Sequence, residues 1–284
     1  MMQEIEFVKF NPTENMTVLV KTRHRVDDYH QIASRLMAYD SLHAEQVGFM
    51  EEAEDGAADA ALVMAGGEFC GNACMSLAAF IASQRSMPHG DSSTILMQVS
   101  GTDELVSCEV ENEMGVYRCT MTIPVPTLIQ KQMWVVDGEV LAVTMIHYQE
   151  AVHAVLEAGP VDPTLRRSAE ALARMIRSSY EGNLVGVLLY DAGTSELSPL
   201  IYVPELGSMV WERGCGSGTG SLGAYLAWKQ DRSMSARVKQ PGGEMHVSAE
   251  WDEGSITSVR IEGTVGIVAE GKAFIMMNEE EVAG

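Results

Sequence analysis

"EFCGNACMS", residues 68–76, and "ERGCGSGTGS", residues 212–221, write one device twice. Each places Cys-Gly-(Asn/Ser) ahead of small and apolar residues that run on with helical spacing. A duplicated turn suggests a duplicated fold, so repeats are sought first. Working outward from Cys70, "IEFVKF" and "MTVLVKT" read as strands about the turn "NPTEN", and "DDYHQIASRLMAY" as an amphipathic helix. "AALVMAGGEF" leads into the cysteine as strand and turn. "ACMSLAAFIASQ" leaves it as a helix, and "TILMQVS", "ELVSCEV" and "VYRCTMTIP" follow as strands.

The same order surrounds Cys215. "MWVVDGEVLAVTMI" predicts a hairpin turning at Asp137-Gly138. "DPTLRRSAEALARMIRSS" predicts a helix capped by Asp162 with Pro163 in its first turn. "LIYVPELGSMVWERG" approaches the second cysteine as strands, "GSLGAYLAWKQ" follows as a helix, and "ARVKQ", "EMHVSAEW" and "SVRIEGTV" are strands. The spacings agree: Cys70 precedes the turn glycine Gly101 by 31 residues, and Cys215 precedes Gly242 by 27. The expected architecture is α+β, with two similar domains related by an approximate two-fold. Residues 1–124 carry the first cysteine, together with a last strand at about 269–284. Residues 125–268 carry the second, the join falling near "PVPT", 124–127.

Composition narrows the function classes. The chain has 284 residues, 46% of them hydrophobic, enough for real cores. A net charge of −21 repels phosphates, so neither nucleic acid nor an anionic membrane is expected as a partner. Five cysteines cannot all pair, and the N-terminal "MMQEIEFVKF" lacks a basic stretch before an apolar core; a reduced, cytoplasmic setting without a signal peptide is expected. No run nears the ~18 apolar residues of a membrane span. The 19 methionines read mostly as core filler.

A cysteine just ahead of a helix meets the partial positive charge of the helix N-terminus, which favours thiolate. The free N–H groups of the first turn bind carboxylate, and a neighbouring glycine lets a ligand approach the backbone. Two such turns facing each other would hold a small carboxylate with a sulfur on each side of one carbon. One sulfur could then remove a proton from one face while the other delivers a proton to the opposite face. Competing readings are weaker. Cys74, one turn after Cys70, lacks the CxxC or clustered histidines of a metal site and reads as buried; Cys108 and Cys119 read as core strand residues. "GTGSLG", 218–223, matches G-x-G-x-x-G, but the next strand ends "ARVKQPGG" without the acid that dinucleotide binding requires. No metal and no cofactor are expected.

At these residues the chain resembles the cofactor-independent, two-cysteine racemases and epimerases of the diaminopimelate epimerase fold. "CGN" and "CGSGT", each before a helix, are the paired signatures; "ENMTVLV", "AEQVGF" and "VHAV" are similar to further segments. The resemblance implies two pseudo-symmetric α/β domains, each a mostly antiparallel sheet wrapped around a central helix, with the active site between them. The chain departs from the diaminopimelate enzymes at Ala73, Cys74 and Met75, at Met64 and Ala151 where asparagines are expected, and in having Glu212-Arg213-Gly214 abut Cys215. Arg213 is the retained feature. Within the family the chain is more similar to the histidine racemases of opine-type metallophore synthesis, on "NPTENMTVLV", "EQVGFME", "EFCGNA", "PLIYVPELGSMVWE", "CGSGTGS" and "KQPGG".

The implied roles follow. Cys70 and Cys215 are the two acid–bases. The N–H groups of Gly71, Asn72, Gly216 and Ser217 bind the substrate carboxylate. Asn15 lies at a substrate-contacting turn, Glu45 meets the imidazole, and Glu212 holds the α-ammonium. His153 reads equally as a site neighbour or a structural histidine. The expected partner is a small-molecule amino acid, and a homodimer is compatible with the sequence. The alternatives are a racemase or epimerase of another amino acid, diaminopimelate first, and a non-catalytic receptor for small carboxylates.

Overall fold

The helices that follow the two cysteines have no polar face, and such helices must be enclosed. In the computed structural model, which describes residues 2–53, 56 and 58–277, both are. α2 (Gly71–Gln84) buries every residue from Gly71 to Ala79, and α4 (Gly216–Gln230) every residue from Gly218 to Tyr225. Both begin directly after their cysteine, two and four residues earlier than the sequence pattern alone suggests, because Cys70 and Cys215 are themselves the N-caps. The two amphipathic helices lie outside. α1 (Tyr29–Met37) buries Tyr29, Ile32, Ala33 and Leu36, and α3 (Pro163–Ser179) buries Ala169, Leu172, Ala173 and Ile176, the same i, i+3, i+4, i+7 stripe in each. Asp162 caps α3 as expected, accepting from the N–H groups of Thr164 and Leu165 at 2.8 Å.

The strands of the first half are β1 (Met2–Pro12), β2 (Thr17–Val20), β3 (Gln46–Glu51), β4 (Ala60–Met64), β5 (Ser92–Val99), β6 (Val106–Glu113) and β7 (Val116–Ile123). Those of the second are β8 (Leu128–Val136), β9 (Glu139–His147), β10 (Ala151–Glu157), β11 (Leu184–Asp191), β12 (Glu196–Val203), β13 (Ser208–Trp211), β14 (Met234–Gln240) and β15 (Gly243–Asp252). Most pairs are antiparallel. The parallel ones recur in matched places: β2–β3 and β10–β11 are bridged by α1 and α3, and β4–β5 and β12–β14 by α2 and α4. The β8–β9 hairpin turns at Asp137 and Gly138 with φ of 50° and 85°, the left-handed pair that a two-residue turn demands.

β16 (Ser255–Met276) joins everything. It pairs with β15 from Ser255, with β7 over Val259–Gly266, and with β1 over Val265–Met276. Its last part closes β1–β7 into a ring of paired strands around α2, while β15 and the strands beyond it form an open sheet over α4. "SVRIEGTV" and "KAFIMM" are therefore one strand. The domain boundary expected at 268/269 falls inside it, and residues 278–284 of the expected last segment lie outside the described residues. Among the described residues no helix is long and apolar enough to cross a membrane.

Candidate active site

Two turn glycines prepare the cysteines. A Cβ on Gly101 (φ 79°) would lie 2.2 Å from the backbone nitrogen of Phe69, and one on Gly242 would lie 2.5 Å from the Thr13 carbonyl oxygen and 3.0 Å from that of Arg213. Only glycine lets these turns press against the segments entering Cys70 and Cys215. Polar side chains complete each brace. Ser100 donates to the Glu68 carbonyl at 2.9 Å, and Gln240 accepts from the Cys215 N–H at 2.7 Å.

Both cysteines are extended N-caps, with φ/ψ of −130°/105° and −120°/111°. Their sulfurs stand where a serine or aspartate oxygen usually stands, accepting from Ala73 N–H at 3.4 Å and Gly218 N–H at 3.2 Å. The earlier N–H groups of each first turn, on Gly71, Asn72, Gly216 and Ser217, have no intrahelical acceptor. The two helices meet end to end beneath Ile261 of β16: a Cβ on Gly71 would lie 3.5 Å from the Gly216 Cα, and one on either glycine 3.1 Å from Ile261 Cδ1. Asn15 and Asn72 fasten the junction, each donating its side-chain N–H to the Gly214 carbonyl, at 2.7 and 2.8 Å.

A cavity of about 30 Å³ lies at this junction. Its wall includes Glu45, Cys70, Gly71, Asn72, Glu212, Cys215, Gly216 and Ser217, eight of the nine residues expected from the sequence. Asn15 does not line it; it stands behind Glu212, beside that carboxylate. Arg213 is turned outward onto Glu14, at 2.6 and 2.8 Å. His153 is buried in a neighbouring cavity of about 330 Å³, its Nδ1 2.5 Å from Ser221 Oγ. Burial pushes its pKa down to about 4.

Sequence reasoning missed Gln46, Glu68 and Gln240. The Cys70 thiol donates to Gln46 Oε1 at 2.8 Å, and Gln46 Nε2 donates to Glu212 Oε1 at 2.6 Å. The Glu212 carboxylate lies in turn beside the Cys215 thiol, so one polar chain links the two sulfurs. Gln46 and Gln240 stood inside "EQVGFME" and "KQPGG", but nothing in those strings shows that their amides face a sulfur or its backbone. Glu68 could have been noticed as a charge three residues before a buried helix.

The electrostatics correct one expectation. The helix N–H groups do favour thiolate, but burial outweighs them, and both thiols are pushed well above the ordinary cysteine range, with Glu212 adding to the shift. Burial also raises the carboxyls: Glu45 and Glu68 to about 7, and Glu212 upward, with Glu212 repelling the other two.

Comparison with known proteins finds relatives over nearly the whole chain. Residues 4–274 fit the family model described as the histidine racemase CntK N-terminal domain. The chain is 34% identical to the histidine racemase of Staphylococcus aureus over 279 residues, covering 96% of this chain and 98% of that one. It is 30% identical to the histidine racemase of Fusobacterium nucleatum subsp. nucleatum over 274 residues, with the same coverage. Among solved structures, a hydroxyproline epimerase from Agrobacterium vitis, with trans-4-hydroxy-L-proline bound, superposes with a TM-score of 0.74 at 12% identity, over 96% of this chain and 93% of that one. The last likeness concerns the fold alone, and it places the sheet-rich α+β architecture beside a proline-type epimerase rather than specifically a diaminopimelate enzyme. The sequence matches run nearly end to end in both partners, and on them this chain belongs to the histidine racemase family.

Proposed function

We propose that the protein interconverts L- and D-histidine with Cys70 and Cys215 as its two acid–bases. The observation that carries this reading is the meeting of two cysteine-capped helix N-termini at one cavity. A substrate carboxylate seated on the N–H groups of Gly71, Asn72, Gly216 and Ser217 would present its α-carbon between the sulfurs. One sulfur, as thiolate, takes the α-proton from one face; the other, as thiol, returns a proton to the opposite face. The electron pair left on carbon spreads into the carboxylate. The donors aimed at that carboxylate therefore bind more strongly as the proton leaves, which is what lowers the barrier. Glu212 is read as the acceptor for the α-ammonium, Glu45 as the partner of the imidazole, and Asn15 as the group that orients Glu212. The ammonium also offsets Glu212, the charge that adds to the rise of both thiols.

The finer structural and cellular readings are proposals too. Residues 1–124 with the end of β16, and residues 125–268, are read as two pseudo-symmetric units of the diaminopimelate epimerase type. Assembly as a homodimer, a cytoplasmic setting and supply of D-histidine to an opine-type metallophore route complete the reading.

The test is α-proton exchange in D₂O, with reduced protein, L-histidine and no cofactor, read by NMR and chiral chromatography. Deuterium entering histidine together with D-histidine is expected. Cys70→Ser and Cys215→Ser should each lower racemisation by at least roughly 10²–10⁴-fold with an unchanged circular dichroism spectrum. Either variant racemising at the parent rate would overturn the two-sulfur mechanism.

A further inference from the structure

Among the described residues, the cavity wall carries three glutamates and no cationic side chain. Glu45, Glu68 and Glu212 all contribute to its wall, and none of the described residues lining it is Lys, Arg or His. Glu68 and Glu212 are only 6% and 4% exposed. On each of the three glutamates, Oε2 is buried and accepts no hydrogen bond, and the buried Oδ1 of Asn72 is likewise unpartnered. Glu68 leans on its own turn through backbone N–H groups of Gly66 and Glu68, which leaves its second oxygen free. Buried acceptors without donors are rare and costly, so a wall that collects them calls for a ligand rich in N–H groups. The carboxylates do not converge on a metal: among the described residues no cluster of His, Cys, Asp and Glu could hold one.

The α-ammonium supplies three N–H donors but sits at one end of the substrate. The side chain must answer the rest. A neutral imidazole brings one N–H and one lone pair, and the lone pair needs a donor. Among the described residues on the wall, the alcohol side chains are those of Ser208 and Ser217; one N–H of Gln46 Nε2 is given to Glu212 and one of Asn72 Nδ2 to Gly214. An imidazolium brings two N–H donors, no lone pair and a positive charge. Resting on the histidine reading above, we infer that Glu68 is a specificity-determining residue that, with Glu45, holds the substrate side chain as imidazolium.

Glu68 and Glu45 share the cavity wall with Glu212 and each lies within its field, so an ammonium at Glu212 and a cationic ring beside it neutralise a shared charge. Among the described residues, the other charged or titratable groups beside these glutamates are the two thiols on the wall, Glu14, and Arg213, whose guanidinium pairs with Glu14 while its backbone N–H donates to Glu45. The added cation also favours formation of a thiolate in a site where burial opposes it.

The experiment compares L-histidine with L-2-fluorohistidine, whose ring fluorine keeps the imidazole neutral at little change in size. Racemisation and α-deuterium exchange are followed in the wild type and in Glu68→Gln. The wild type is expected to favour histidine in kcat/KM by roughly 10–100-fold, the worth of a buried charged hydrogen bond. Glu68→Gln should lower kcat/KM for histidine and narrow that preference by about tenfold, a change in ratio that a purely structural role would not produce. If Glu68→Gln does not fold, Glu68→Asp, which draws the carboxylate back, should narrow the same ratio. Wild-type turnover of the fluorinated substrate within about threefold of histidine would overturn the inference while leaving the racemase intact, as would an unchanged ratio in the folded variant. Exchange on neither substrate would overturn the histidine reading and this inference with it.

Discussion

Burial of charge is the dominant theme at the scale of single residues. Glu68 is raised from 4.5 to about 7 chiefly because it is removed from water. Its folded-state pKa lies above its unfolded one, so the folded protein holds the extra proton between those values. The associated stability is present below pH 4.5 and is lost as pH rises through 7. The difference corresponds to at most about 3 kcal/mol for this buried group. Glu68→Gln keeps the carbonyl that accepts from the turn and removes the charge. The variant should match the wild type near pH 4.5 and exceed it by up to about 3 kcal/mol at pH 8 in urea unfolding. Equal stability at pH 8 would show that the buried carboxylate is not strained. His153 acts in the opposite sense: its pKa falls from 6.5 to about 4, so its contribution is complete above pH 6.5 and declines as pH falls toward 4. A carboxylate that costs stability at working pH is what a binding site keeps when function requires the charge.

Between one residue and the whole fold, the cysteine turns are placed by glycine. Gly101→Ala would force a Cβ to within 2.2 Å of the Phe69 nitrogen and 2.7 Å of the Glu68 carbonyl carbon, at a φ of 79°. Gly115 supplies the control, with φ of 88° and nothing within 4 Å of its Cβ position. Gly115→Ala should cost only the left-handed conformation, roughly 1–2 kcal/mol. Gly101→Ala should cost clearly more in thermal or urea unfolding, and should lower activity further because the displaced segment carries Cys70. Equal losses from the two substitutions would mean that the turn does not brace the cysteine. The legibility of the sequence follows the same physics. Periodicity revealed α1, α3 and most strands, and the duplicated Cys-Gly turn pointed to seven residues that line one cavity, because each depends on local pattern; Glu45 came only through the family resemblance. The starts of α2 and α4 were missed because "GN" and "GSGT" carry no apolar stripe. Gln46 and Gln240 were missed because their meaning arises only when strands distant in sequence bring an amide to a sulfur or its backbone; Glu68 is local to Cys70, but its burial against the cavity shows only in the fold.

Across the whole molecule, β16 makes the two halves one structure. The strand passes from β15 to β7 to β1 without a break, and Ile261, near its middle, covers the point where both helix N-termini meet. Unfolding either half would strip partners from the same strand and open the junction between the cysteines. Domains joined by a linker melt separately unless their interface is large; halves that share a strand should not. The sequence offers a clean probe, since all four tryptophans, Trp134, Trp211, Trp228 and Trp251, lie beyond residue 125. Tryptophan fluorescence therefore reports the second half alone, whereas far-ultraviolet circular dichroism reports both. In urea the two signals should follow one coincident transition with the same midpoint and slope. A fluorescence transition displaced from the dichroism transition would show that one half survives the loss of the other. In that case β16 would be a connector rather than a shared core strand, and the alignment of Cys70 with Cys215 would have to come from the side-chain bonds to Gly214 and Glu212 alone.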